Sequence, residues 1–254
     1  MADKPYILVT NDDGIHAKGL RELIDVMQLF GEVVVIAPEY PQSGKSAAIT
    51  VDNPLRATPV KDGLEGIEMY KCNGTPVDCV KLGFNELLGR RPGFVVSGIN
   101  HGANSSISVI YSGTVGAAIE GSLHSVPSVA FSLSDYNPDA EFKYAKIYCA
   151  KVFQAVLEKG LPEFVCLNVN IPKGRPDGIE VVRQAKGKWM EEFEKRTDPH
   201  SRDYFWLSGY FNSFEDGAGD CDIAALDNNI VSVVPVNVDM TCYKALGLLK
   251  KWKF

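Results

Sequence analysis

Residues 6–37 read YILVTNDDGIHAKGLRELIDVMQLFGEVVVIA, and this stretch decides the fold class. Tyr6–Thr10 is a short apolar run that ends in a polar, glycine-containing loop. From Leu20 onward the apolar residues Leu20, Leu23, Ile24 and Met27 recur at the spacing of one helical face. Gly31 stands where a helix C-cap is expected, and Glu32 then leads into the apolar run Val33-Val34-Val35-Ile36-Ala37. Apolar runs with no polar alternation belong to strands buried on both faces, which points to a parallel β-α-β start.

The unit repeats downstream. Thr75 is placed to cap a helix with Pro76 at its first position and Asp78 in its first turn. A buried strand over 94–99, a small-residue helix over 112–123, a strand over 126–131, a helix over 140–158 and a strand over 164–169 follow in alternation. The expected fold class is α/β, a doubly wound, Rossmann-like, mainly parallel sheet with helices on both faces. After about residue 183 the rhythm changes: Trp189, Phe193, Tyr204, Phe205, Trp206, Tyr210, Phe211 and Phe214 are interleaved with charge, as in hairpins. Residues 1–182 are therefore read as the α/β core carrying the site. Residues 183–254 are read as a C-terminal appendage of hairpin arm, short helix, strand and C-terminal helix over 241–252, used in oligomerisation.

Composition bounds the function. The chain has 254 residues, 45% hydrophobic and 23% charged, with a net charge of -6, which disfavours binding to a nucleic-acid duplex or an anionic membrane. No apolar run approaches the roughly 20 residues that span a bilayer. Met1-Ala2-Asp3-Lys4-Pro5 passes directly into an apolar strand without the features of a signal peptide, and a cytoplasmic location is expected. The six cysteines are far apart, without a C-x-x-C pair, and read as reduced, buried thiols.

In an open parallel sheet, ligands bind beyond the carboxyl ends of the strands, and three polar loops here follow buried strands directly. Asn11-Asp12-Asp13-Gly14 sets two adjacent carboxylates on a sharp turn; they repel unless one takes a proton or both share a cation, and oxygen donors suit magnesium or manganese. Alone, this loop fits a solvated turn with helix-capping aspartates equally well. The second loop, residues 37–46, contains Ser43-Gly44-Lys45-Ser46 but lacks the first glycine of a P-loop, so Ser43 is kept only as a candidate hydroxyl donor. The third, residues 97–104, offers the amide oxygen of Asn100; His101 beside it is read as a rim residue. Farther on, Ser112-Gly113-Thr114 opens a helix whose free N–H groups suit a phosphate, although Ser112 is also a natural N-cap.

Together NDDG (11–14), PQSG (41–44), NGTPVDCV (73–80), SGIN (97–100) and YSGTVGAAIEG (111–121) resemble the motif set of the survival protein E (SurE) family. The resemblance covers residues 6–172 well and the remainder more weakly. It implies a metal-dependent phosphatase acting on nucleoside 5′- or 3′-monophosphates, some members also cleaving polyphosphate. It also implies one divalent ion per subunit, magnesium, manganese or cobalt, held by Asp12, Asp13, Ser43 and Asn100. Asp12 and Asp13 are then the catalytic pair, with Asn11, Gly44, Asn104, Ser112, Gly113 and Thr114 facing substrate or phosphate. The expected partners are a small-molecule nucleotide and further copies of the chain, as a homodimer or homotetramer, with no nucleic-acid duplex and no membrane. The attacking group is water or one of the aspartates. The competing readings are a nucleotide-binding regulator without turnover and a module that only assembles through its aromatic segment.

Overall fold

A computed structural model describes residues 4–61, 63–215 and 217–253; Met1, Ala2 and Asp3, which open the N-terminal reading above, lie outside the described residues. Strand β1 (Tyr6–Thr10) is buried along its whole length. Its side chains alternate between the two faces. Ile7 and Val9 join a core with Leu20, Leu23, Ile24 and Met27 of α1 (Lys18–Met27), whereas Leu8 packs into a second core on the opposite face. Burial on both faces makes the strand a continuous apolar run. Gly31 does not cap α1, which closes at Gln28. A Cβ at Gly31 would lie 2.2 Å from the Pro5 carbonyl oxygen, so glycine is needed there for close backbone approach.

The chain continues through β2 (Glu32–Pro38), the short edge strand β3 (Ala57–Pro59) and β4 (Glu68–Cys72). Helix α2 (Pro76–Leu82) starts at Thr75 and Pro76 as expected, and Asp78 completes a capping box in which Thr75 and Asp78 each satisfy the other's backbone N–H. Then come β5 (Phe94–His101), a 3-10 turn (Ser106–Tyr111), α3 (Gly113–Leu123), β6 (Ser128–Ser134), α4 (Lys143–Lys159), β7 (Val165–Pro172) and β8 (Gly178–Val181). Strands β9 (Gly187–Met190), β10 (Phe193–Thr197), β11 (Asp203–Leu207) and β12 (Tyr210–Ser213) form the arm, with β12 against β9 and β10 against β11, both antiparallel. Helix α5 (Asp222–Asp227), β13 (Ile230–Asn237) and α6 (Tyr243–Leu249) complete the chain.

Among the described residues, nine strands form one sheet in the order β3-β4-β2-β1-β5-β6-β7-β13-β8. The strands from β4 to β7 in that order are parallel, so the doubly wound α/β expectation holds. Helices α1 and α4 pack in one core, and α2 and α3 contribute to the other. Strand β13, read from sequence as part of the appendage, lies inside the sheet between β7 (antiparallel) and β8 (parallel). What stands off the sheet is the β9–β12 arm. The C-terminal helix is shorter than expected and buries none of its residues. Five cysteines are buried thiols as read, but Cys242 is exposed. Among the described residues no helix is long and apolar enough to cross a membrane.

Candidate active site

The chain leaves β1 towards β2 on one side, and β5 to β7 extend on the other. Such a reversal opens a crevice at the strand ends. The pairing of Thr10 with Ser97 brings the loops after β1 and β5 to the same level there. Two backbone N–H groups pin the neighbouring loops to the acidic pair: Gln42 donates to the carbonyl of Asp12 at 2.7 Å, and His101 donates to Asp13 Oδ2 at 3.3 Å. Each expected neutral donor is next to one of these bonds, Ser43 after Gln42 and Asn100 before His101. The amide nitrogen of Asn100 is held by the carbonyls of His101 and Gly102, at 3.2 and 2.8 Å, which leaves its Oδ1 available as a donor atom.

Asp12 is 4% exposed and accepts a hydrogen bond from the Thr114 hydroxyl. Burial pushes its carboxyl up to about 6; the Thr114 bond opposes the shift and the charge of Asp13 adds to it. Asp13 is raised too, chiefly by burial, against the lowering effect of the His101 N–H. A buried carboxylate, Asp12, beside a half-buried one, Asp13, is the environment a bound cation would relieve. Asp12, Ser43, Gly44, Asn100, Asn104 and Ser112 all line one cleft of about 750 Å³, and none of its described lining residues is a lysine or arginine. No group of three or more His, Cys, Asp or Glu comes together among the described residues, so an ion here would depend on neutral oxygens to complete its shell. The donors present are of that kind and fit a hard divalent cation.

The start of α3 is held tightly against this loop. Ser112 Oγ caps the helix by accepting from Val115 N at 3.1 Å, which leaves its hydroxyl proton for a ligand in the cleft. A Cβ at Gly113 would lie 2.9 Å from Asp12 Cβ, so glycine lets the helix start reach the carboxylate. Two expected phosphate contacts are placed differently. Thr114 is fully buried with its hydroxyl on Asp12, and Asn11 is fully buried with its amide donating to the Gly14 carbonyl at 3.0 Å, where it shapes the turn. Both residues act on the carboxylate loop, not on the cleft surface.

Several contributors carry no motif signal. Asn104 N donates to Asn170 Oδ1 at 2.7 Å, its amide donates to Ser132 at 2.9 Å, and Asn168 donates to its carbonyl at 2.8 Å. Two buried asparagines on the otherwise apolar strand β7 were the available sign. Asp222 is 1% exposed and joins two segments: it accepts from Ser106 N at 2.7 Å and from Ala185 N at 2.9 Å, tying the 3-10 turn before Ser112 to the root of the arm. The cleft is also lined by Tyr136 and, from the aromatic segment, by Trp189, Glu192, Leu207, Ser208 and Gly209, so the arm contributes to the site.

These positions can be set beside proteins of known family. The family described as survival protein SurE matches residues 7–191, well over half of the chain. The 5′-nucleotidase SurE of Flavobacterium psychrophilum is 50% identical over 252 residues, covering 98% of both chains. That of Cytophaga hutchinsonii is 50% identical over 256 residues, covering 99% of this chain and 98% of its own. The solved SurE protein from Aquifex aeolicus superposes with a TM-score of 0.83 at 34% identity, over 97% of this chain and 98% of that one. The motif loops, the sheet that gathers them and these full-length likenesses agree, and the chain belongs to the SurE family.

Proposed function

We propose that this protein is a divalent-metal-dependent phosphatase that hydrolyses nucleoside monophosphates to nucleoside and phosphate, a 5′-nucleotidase. One observation carries the reading: the buried Asp12, with the half-buried Asp13 beside it, meets neutral oxygen donors and a helix N-terminus at a cleft whose described walls hold no lysine or arginine. A phosphate dianion would meet no lysine or arginine there, so a bound cation is called for on this reading. Asp12, Asp13, Ser43 and Asn100 are the residues that would hold it. When bound, a magnesium, manganese or cobalt ion supplies Lewis acidity and charge neutralisation at the phosphate. The chain's own part is positional. Thr114 orients Asp12, the His101 N–H orients Asp13, and the Ser112 hydroxyl with the start of α3 receives phosphate oxygens. A regulator that only bound nucleotide would have no need of two carboxylates held at this separation from water.

The relatives named 5′-nucleotidase SurE support the substrate class. The exposed Phe193, Phe205, Trp206 and Leu207 of the arm support assembly into a homodimer or homotetramer. Six unpaired cysteines fit a reducing compartment, the cytoplasm. The test is phosphate release from a panel of nucleoside monophosphates, with chelator and after restoring magnesium, manganese, cobalt or zinc. Turnover is expected only with metal; full turnover after confirmed metal removal would overturn the reading.

A further inference from the structure

Two aromatic residues in the cleft have no part in holding metal or phosphate. Tyr136 follows β6 in a loop stiffened by local turns: Asn137 N donates to Asp135 Oδ1 at 3.1 Å and Asp139 N to Asn137 Oδ1 at 3.0 Å. Its ring rests on Gly102, where an added Cβ would come within 2.2 Å of a ring carbon, only two residues from Asn100. Even so, the residue is 73% exposed. A ring seated on backbone on one side and open to the cleft on the other presents an unused π-face. Trp189 reaches the same cleft from the arm. Its only polar atom, Nε1, donates to Ser108 Oγ at 3.3 Å, and Phe211 stands edge-on to it with centroids 6.5 Å apart. The half-buried indole is thereby fixed in place with its hydrogen-bonding capacity already used, and carbon surface is what it has left to offer.

Aromatic walls beside an oxygen-rich, cation-fitting corner suit a ligand that is ionic at one end and flat and apolar at the other. On the nucleotidase reading above, we propose that Tyr136 and Trp189 hold the base of the nucleotide by stacking while its phosphate lies at Asp12 and Ser112. These two residues then set the preference for nucleotides over phosphate esters that carry no ring system. Stacking tolerates every base, since each has a π-face, so the preference separates base from no base more strongly than one base from another. Trp189 also gives the arm a direct part in the site. Ser108 and Asp222, which hold the indole and the arm root against the 3-10 turn, are positioning residues for it.

The experiment compares adenosine monophosphate with ribose 5-phosphate in the full-length, metal-loaded protein. Trp189→Ala and Tyr136→Ala are each expected to raise KM for adenosine monophosphate about tenfold, with ribose 5-phosphate changed by less than about twofold and Phe at either position restoring most of the loss. Equal losses on both esters would mean the residues only support the fold, and no loss on either would mean the base lies elsewhere; each result overturns the proposal. A second readout does not require turnover. In a Trp206→Phe, Trp252→Phe background, adenosine alone is expected to quench the fluorescence of Trp189, and Tyr136→Ala to weaken that quenching. Quenching by adenosine in a protein that hydrolyses no ester would leave the base site standing and remove the nucleotidase reading. Hydrolysis of both esters with no quenching would do the reverse.

Discussion

The crevice after β1 and the arm of β10 and β11 stand in opposite environments. Every residue of β1 is buried, and the carboxylate that follows it is almost fully dehydrated. Every residue of β10 and β11 is exposed, including Phe193, Phe205 and Trp206. In the crevice the unsatisfied quantity is charge, since Asp12 is buried and Asp13 half-buried beside it with no lysine or arginine lining the cleft. On the arm it is apolar surface left in water. On the proposed reading, a cation and a phosphate complete the first region and another copy of the chain covers the second. Their common boundary is the arm root, where Arg183 pairs with Glu215 and Asp220 at 2.8 and 2.7 Å and Asp222 grips the 3-10 turn.

The contrast breaks first, and by most, at the acids. Asp12→Asn and Asp13→Asn are each expected to lower turnover by roughly two to four orders of magnitude and to weaken metal binding, measured by steady-state kinetics and by metal titration. The metal-free variants should nonetheless melt no lower than the parent, because asparagine removes the repulsion and can still accept from Thr114 at position 12 or from the His101 N–H at position 13. Saturating manganese should reverse that order, since an ion that binds only the folded parent stabilises it by mass action. If the aspartates were only turn residues, turnover would hardly change.

A pH series sharpens the same point. The Asp12 carboxyl sits at about 6 in the folded protein, against 3.8 for the ordinary group. Between those values the folded state binds more protons than the unfolded state, so the stability of the metal-free protein should fall as pH rises from about 4 to 6. The contribution of this one buried group is roughly 3 kcal/mol. Denaturant melts in chelator across that window should show the decline, and Asp12→Asn should flatten it. An unchanged slope in the variant would show that other groups carry it.

At the boundary, Asp222→Ala leaves the N–H groups of Ser106 and Ala185 without acceptors, and a loss of roughly 2–3 kcal/mol is expected by chemical denaturation. Asp222→Asn, which can accept only one of those bonds well, should fall between the variant and the parent. Ser112→Ala is expected to remove about 1 kcal/mol of helix capping and to raise KM while lowering kcat, with metal affinity little changed. Loss of metal with normal substrate handling would move Ser112 from the phosphate to the ion. The smallest thermodynamic effect belongs to the arm: Phe205→Ser with Trp206→Ser should shift protomer stability by no more than about 0.5 kcal/mol yet lower the assembly state seen by light scattering. A parent that is already monomeric at micromolar concentration would remove the arm's assembly role.

Local signals were legible wherever neighbours in sequence decide the structure. The apolar run of β1, the helical spacing of Leu20, Leu23, Ile24 and Met27, and the Thr75-Pro76-Asp78 helix start all formed as expected, because backbone pairing and capping depend on adjacent residues. The acidic pair was legible only in part: two adjacent aspartates on a glycine turn carry their electrostatic problem with them, but the loop alone fits a capping turn as well, and only the packed structure buries Asp12. Gly31 shows the limit. Its sequence position fits a helix cap, but its requirement is set by the carbonyl of Pro5, which only the packed structure brings near.

What tertiary structure alone decided is every arrangement that joins distant segments. Strand β13 entered the sheet between β7 and β8, Thr114 turned its hydroxyl to Asp12 across 102 positions, and Trp189 came to the cleft through Ser108. Sequence by itself determined the α/β rhythm, the strand-end loops and the oxygen chemistry of the site, because those follow from periodicity and residue type. It did not determine which buried polar group would satisfy which, since hydrogen-bond partners are assigned by proximity in the folded chain, and that proximity is a property of the whole sheet.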